Sequence, residues 1–428
     1  SIPFAMYLGF TYKEVEDFAF DMIRKALQPA MILLAVGALI GAWILSGTVP
    51  TLIYAGLKTV TPDFFLISTL VLCTVVSLAT GTSWGTIGTA GIAMMGVGGV
   101  LGIPAGITAG AVVSGAVFGD KMSPLSDSTN LAPAVSGSSL IPHIKHMAWT
   151  TIPAYIITAI LFFFIGLKYS GGASIDAGVA ETTAVLAETF NIGWIALIPA
   201  IVVLILLILK KPAFTSILIG ALVGGLIAVL NEGATISETL NTLYNGSSIS
   251  SENEFLNQLL NRGGVTSMYG IVGLFIFALG LGGILQGSEI LQSILDALSK
   301  KVKTDRGVII TTMAVNYISN MVGATMSFAA VMTGTMMQPL FRKHKIEPKN
   351  LSRTIEDCGT LGAFLIPWNT SVVFTATALG ISGLSFIPFV FLSIITPIFT
   401  LIYARTGFTL TKVQGDEYID SDELKSAG

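Results

Sequence analysis

The residues best suited to chemistry lie in one run, Gly119 to Gly137, which reads GDKMSPLSDSTNLAPAVSG. Asp120, Ser123, Asp127 and Asn130 follow at intervals of three, four and three residues, so on a helix they share a face. Pro124 and Pro133 interrupt the run. A proline removes a backbone donor and clashes with the preceding turn, so the helix is expected to break beside the acids. The flanking sequence is apolar, and in a membrane a broken helix is tolerated only where protein or a wet cavity satisfies the freed backbone. Carboxylates, hydroxyls and freed carbonyls together make the all-oxygen ligand set that hard cations prefer. Asp127 is the first candidate for this role and Asp120 the second, with Ser128 and Asn130 beside them.

A counterpart lies far along the chain, where Glu356-Asp357 leads into Ile366-Pro367-Trp368-Asn369-Thr370-Ser371. An ionisable group at membrane depth costs ~2.5–3.5 kcal/mol on insertion scales, so its presence points to function. Hydroxyl-rich stretches precede both runs: Thr82, Ser83 and Thr86 in one case, Thr325 and Ser327 in the other. Asn316 and Asn320, four apart on one helix face, are placed to line the same cavity. A carboxylate there neutralises a bound cation, and with the cation gone burial favours its protonated form. Proton and sodium then compete for one group. The expected ion ligands are Thr82, Ser83, Asp127, Ser128, Asn130, Asn369 and Thr370, with sodium on Asp127 and Asn130. The expected proton-coupling acids are Asp120, Asp127, Glu356 and Asp357.

Each group also has a plainer reading. Asp120 can simply pair with Lys121 or another buried base. Arg353 and Asp357 form an i,i+4 pair, which with Glu356 reads equally as an interfacial salt-bridge cluster. The Ser/Thr/Gly stretches suit helix packing as well as ion binding. His143, His146 and His344 fall in basic stretches that read as solvated loops, and Phe162-Phe163-Phe164 reads as a lipid or helix contact.

The elements that must position these groups are membrane helices. Of 428 residues, 53% are hydrophobic and only 11% charged, against about 25% charged in a soluble domain. Mean hydropathy is +0.80. A net charge of −3 gives no ground for a nucleic-acid partner. Forty-six glycines suit close-packed membrane helices, and Cys73 and Cys358 show no metal or redox spacing. The chain opens SIPFAMYLGF with no recognisable signal peptide, and the numbering is expected to start inside a longer protein.

Spans of roughly 20 residues are expected at 27–45, 63–79, 148–167, 192–209, 213–230, 266–287, 307–322 and 385–404, while 81–98 and 324–340 either span or re-enter and are counted here as spans. Broken elements are expected near Pro124 and over 350–380. The resulting plan has an amphipathic segment 1–26, a first transmembrane repeat 27–168 and a linking pair 169–230. A polar loop 231–265, a second repeat 266–405 and an acidic tail 406–428 complete it. The halves look duplicated. Pro124 and Gly137 match Pro367 and Gly380 at an offset of 243, and Ile44-Leu45 matches Ile284-Leu285 at 240. Gly81 and Ser83 fall opposite Gly323 and Thr325 at 242. If 27–45 runs outward, the basic runs 143–146, 210–211, 300–306 and 342–349 lie inside and the acidic loops 169–191 and 231–263 outside. Five crossings per half then make the repeats inverted. The fold expected is an all-α polytopic membrane protein of two inverted repeats with discontinuous helices.

GTSWGTIGTAGIA (81–93) and SGAVFGDKMSPLSDSTNLAPA (114–134) closely resemble the signature of the NhaC sodium/proton antiporter family, within the larger ion-transporter superfamily. The likeness extends through HIKHMAWTTIPAY and, more weakly, IEDCGTLGAFLIPWNTSVVF, so it covers most of the chain. It implies a multi-pass cell-membrane antiporter in which sodium leaves as protons enter. By position it points to Asp120, Asp127 and Asn130, with Thr82 and Ser83 beside them; Ser128 stands where threonine is expected. The family also includes exchangers of malate and lactate and movers of amino acids, so sodium-coupled transport of a small organic solute is the alternative. No GK[ST] phosphate loop or HExxH occurs, so an enzyme is not expected. The resemblance implies sodium as a transported ion and no organic cofactor. The partners are the bilayer, Na+ and H+, and in the alternative an organic anion or amino acid; a homodimer is compatible with this.

Overall fold

The computed structural model describes residues 2–169, 173–248, 260–290 and 302–413, together with 257 and 293. The acidic run 414–428, Lys300-Lys301 and parts of the two acidic loops lie outside the described residues. Within them the chain is helical, with one isolated β-bridge between Ile346 and Lys412.

In chain order the first half comprises α1 (Ile2–Tyr7), α2 (Tyr12–Leu45), α3 (Thr48–Thr59), α4 (Phe65–Thr80), α5 (Ser83–Thr86), α6 (Ile92–Val100), α7 (Ala105–Met122), α8 (Asp127–Ser136) and α9 (Leu140–Gly166). Then come α10 (Ala173–Thr189), α11 (Ile198–Ile208), α12 (Ala213–Asn231) and α13 (Ile236–Asn245). The second half comprises α14 (Tyr269–Gly287), α15 (Asp305–Gly323), α16 (Met326–Lys343), α17 (Pro348–Ile355), α18 (Thr370–Leu379), α19 (Gly383–Phe386) and α20 (Phe391–Thr406). A π-helical turn, Ile87–Gly91, joins α5 to α6, and another, Glu356–Thr360, follows α17. The chain is an all-α polytopic membrane protein. Pro62–Thr80, Leu140–Tyr169 and Ala213–Asn231 are each long and apolar enough to cross a bilayer. Three further pairs qualify as bent spans, among them Pro348–Leu365 with Thr370–Leu379, bent by 49°.

Capping residues explain where the helices stop and start. The Thr11 side chain and Glu14 form a reciprocal capping box at the head of α2. This helix runs 34 residues, about 51 Å at ~1.5 Å per residue, so the amphipathic stretch at its start is continuous with the first span rather than a separate surface helix. α7 ends at Met122 and α8 starts at Asp127, with Pro124 between them and Ser126 as N-cap. The run around Pro124 is therefore a broken helix. α4 packs tightly along α7. A Cβ at Gly119 would sit 2.6 Å from the Leu78 nitrogen and the Thr74 carbonyl, so only glycine permits this approach.

Backbone landmarks recur at one constant offset. Gly81 and Ala324 both adopt left-handed φ, +68° and +52°. Thr82 and Thr325 follow them as side-chain N-caps. Ser126 and Asn369 cap the helices after the two prolines, and Gly137 and Gly380 close those helices in the left-handed region. Ser77 donates to the Ala116 carbonyl at 2.5 Å, and Asn320 to the Gly359 carbonyl at 3.0 Å. Every one of these pairs differs by 243. The alignment of Gly81 with Gly323 is thus corrected by one residue, to Ala324, because the helix ends at the left-handed residue whatever its type.

Candidate functional site

The two breaks of the first half touch each other. Gly81, between α4 and α5, lies against Leu125 of the α7–α8 break, where a Cβ would meet the Leu125 backbone at 2.8 Å. The second half repeats the arrangement: the Thr370 amide donates to the Ala324 carbonyl at 2.8 Å. Between these junctions lies a cavity of about 690 Å³. The starts of α5, α8, α16 and α18 line it through Thr82, Ser83, Trp84, Ser126, Asp127, Ser128, Thr325, Ser327 and Thr370. Asp120, from the last turn of α7, forms part of its wall, and Lys210 and Lys211, from the α11–α12 turn, lie at its edge. Trp84 stacks on Phe374 of α18 with centroids 4.4 Å apart, joining one half to the other.

Asp120 is the buried acid of this cavity, 4% exposed. Ser83 Oγ donates to its Oδ2 at 2.7 Å, and the Ser126 hydroxyl also bears on it. Asp127 is exposed at the first turn of α8, where the helix dipole favours an acid. Ser126 and Ser128 hydroxyls lie 3.1 Å apart beside it. The structure thus sets the two aspartates at different depths along one cavity.

The remaining candidates stand elsewhere. The Asn130 side chain is exposed and lies off the cavity wall. Its amide donates to the Pro124 carbonyl at 3.0 Å and the Ser126 carbonyl at 2.7 Å, and so satisfies backbone freed by the break. The Thr129 hydroxyl does the same for Asp120 and Lys121, at 3.1 and 3.0 Å. Asn369 is fully buried and also off the wall; its Oδ1 caps Ser371 N–H and its Nδ2 donates to Asn320 Oδ1 at 3.2 Å. Asn320 and Asn316 in turn donate to carbonyls of Gly359 and Ile355. The asparagines expected to line a cavity instead brace the π-turn that carries Glu356 and Asp357.

That π-turn holds a second polar centre, fully buried. Lys121 and Asp357 form a direct ion pair, both side chains inaccessible. Thr150 and Thr400 hydroxyls donate to Asp357 at 3.1 and 2.6 Å. Arg353 Nε stands 4.0 Å from its other oxygen, and Arg353 Nη1 donates to the Thr409 hydroxyl at 2.6 Å. The Arg353–Asp357 pair is therefore interior rather than interfacial. Beside it Glu356 is buried, with neither oxygen in a hydrogen bond of ordinary geometry among the described residues, Thr360 being its hydroxyl neighbour.

Sequence reasoning paired Lys121 with Asp120 in its plainer reading; the partner is Asp357, 236 residues away. Only the packing of α7 against the π-turn brings them together, so no local signal could have found the pair. The histidine expectation is corrected as well. His143 and His146 sit in the first turns of α9, buried against α17, with His143 Nδ1 2.8 Å from Ser352 Oγ and His146 Nε2 3.2 Å from Asn350 Oδ1. Helix α9 begins at Leu140, which turns both rings onto one face. His344 pairs with Asp305 at 2.9 Å.

The profile of the Na+/H+ antiporter family matches residues 115–408. A malate-2H(+)/Na(+)-lactate antiporter of Bacillus subtilis is 43% identical, over 94% of this chain and 86% of its own length. The Na(+)/H(+) antiporter NhaC of Alkalihalophilus pseudofirmus is 38% identical over 96% and 89%. An arginine/ornithine antiporter, ArcD, of Halobacterium salinarum is 34% identical over 94% and 83%.

Proposed function

This chain belongs to the Na+/H+ antiporter family, and from that premise we propose that it exports Na+ across the cell membrane in exchange for H+ by alternating access. The observation that carries the reading is Asp120: a buried carboxylate on the wall of a polar cavity, held by the Ser83 hydroxyl at 2.7 Å. A buried carboxylate is costly without a compensating charge. Na+ meets that need with the carboxylate and hydroxyls of Thr82, Ser83, Ser126 and Ser128 as oxygen ligands; a proton meets it by bonding to the acid. The two cargoes exclude each other at one group, which is sufficient for exchange when the empty, charged site does not reorient. Asp127, at the mouth, gathers cations, and Glu356 supplies a second proton-binding carboxyl behind the cavity. The constant offset of 243 supports two repeats, which we take to be inverted, so that one half rocks against the other around the cavity.

A second reading has its own support. About 690 Å³ is within the ~300–1,000 Å³ of small-molecule pockets and far exceeds the ~30 Å³ share of one water. Lys210 and Lys211 at its edge and the Trp84 Nε1–H, buried and without a partner among the described residues, suit a small organic anion. The malate/lactate relative fits the same chemistry. Flux in proteoliposomes separates the two. Na+-driven proton movement without organic solute, lost at least tenfold in Asp120→Asn, is the expected result. Strict dependence on malate or lactate would transfer the assignment to the organic anion.

A further inference from the structure

Two acids stand side by side in the π-turn, and Lys121 is bonded to one of them. Its ammonium pairs with Asp357 across the interface between α7 and the π-turn. Asp357 also receives the Thr150 and Thr400 hydroxyls and faces Arg353. Glu356, the adjacent residue, is buried with neither oxygen in a hydrogen bond of ordinary geometry among the described residues. In this fully buried centre both bases, Lys121 and Arg353, face Asp357. Glu356 is left without an ion-pair partner among the described residues.

We infer that Lys121 is the resident cation of this centre: by occupying Asp357 it withdraws that acid from exchange and leaves Glu356 free to bind and release the transported proton. This rests on the antiport reading above and deepens it, because it divides the labour between two neighbouring carboxyls that sequence treats alike. Asp357 is an anchor, bonded to α7, α9 and α20 at once. Glu356 is the group that changes charge. Lys121 acts through the acids rather than on cargo, and is a positioning residue.

The division has a test that a purely structural ion pair would fail. Asp357→Asn keeps an amide for the two hydroxyls but releases the ammonium, which then pairs with Glu356 and holds it as a carboxylate. Na+-driven proton flux is expected to fall at least tenfold in this variant. The double variant Lys121→Met/Asp357→Asn removes the intruding cation with its partner, and flux is expected to recover to within about threefold of wild type. A lipophilic carbodiimide, which modifies protonated buried carboxyls, gives a readout independent of turnover. Mass spectrometry is expected to find Glu356 modified in wild type and in the double variant, and spared in Asp357→Asn. Normal flux in Asp357→Asn, a double variant no better than the single, or modification of Asp357 in place of Glu356 would overturn the inference. Absence of Na+-driven proton flux in the wild-type protein would instead overturn the antiport reading beneath it.

Discussion

At the scale of single residues, the arrangement distinguishes side chains that face the cavity from side chains that repair the backbone. Asp120, Ser83 and Ser128 belong to the first kind. Asn130 belongs to the second, since both of its hydrogen bonds go to carbonyls exposed by the Pro124 break. Each such bond contributes a net ~0.5–1.5 kcal/mol. Asn130→Ala is therefore expected to destabilise the protein by roughly 1–2 kcal/mol, seen as a lower melting temperature in detergent. Its Na+ half-saturation should stay near that of wild type. A half-saturation raised tenfold would return Asn130 to the ion site. The run GDKMSPLSDSTN revealed which residue types were present, but its regular spacing suggested four side chains acting alike. The break rotates the chain between Met122 and Asp127, and the four are sorted into different tasks.

At the scale of elements, two helix ends meet at each junction beside the cavity. Gly81 does so with a left-handed φ of +68° and no side chain, in contact with the Leu125 backbone. Gly81→Ala adds about 1–2 kcal/mol of left-handed strain to a clash at 2.8 Å. It is expected to lower both thermal stability and flux. The equivalent junction already carries alanine at φ +52°, so Ala324→Gly is expected to be tolerated, with melting and flux close to wild type. Melting curves and flux on the two variants check this asymmetry; a harmless Gly81→Ala would remove the close junction from the account. The breaks were readable in advance because proline and glycine act locally. The π-turn at Glu356–Thr360 was not, because it is held by Asn316 and Asn320 from another helix.

At the scale of the whole molecule, the two halves are joined by Lys121–Asp357, by Trp84 on Phe374 and by the Thr150 hydroxyl on Asp357. A strap over Thr411–Val413 ties the second half to itself. Glu347 N–H donates to the Thr411 carbonyl, Val413 N–H to the Lys345 carbonyl, and Lys412 pairs with Asp305 at 2.6 Å. The Asp305 carboxyl, at the head of α15, is held below the usual carboxylate range chiefly by Lys412 and also by His344. The strap closes over the basic 342–349 cluster, the side expected to face the cytoplasm. Orientation is open to direct test, since Cys73 and Cys358 are buried and give little background. In right-side-out vesicles an impermeant maleimide is expected to label Glu238→Cys and to reach Lys211→Cys only after permeabilisation. The reverse pattern would turn the molecule over in the membrane.

Composition and hydropathy by themselves determined that the chain lives in lipid, and proline and glycine fixed where its helices break, because both effects act over a few residues. The matched prolines and glycines behind the proposed repeat were also visible. Tertiary structure alone decided which acid meets which base, that His143 and His146 are interior, and that Asp120 rather than Asn130 faces the cavity. The Lys121–Asp357 pair and the two histidine contacts join residues more than two hundred positions apart, and side-chain type carries no record of which distant helix will pack against it.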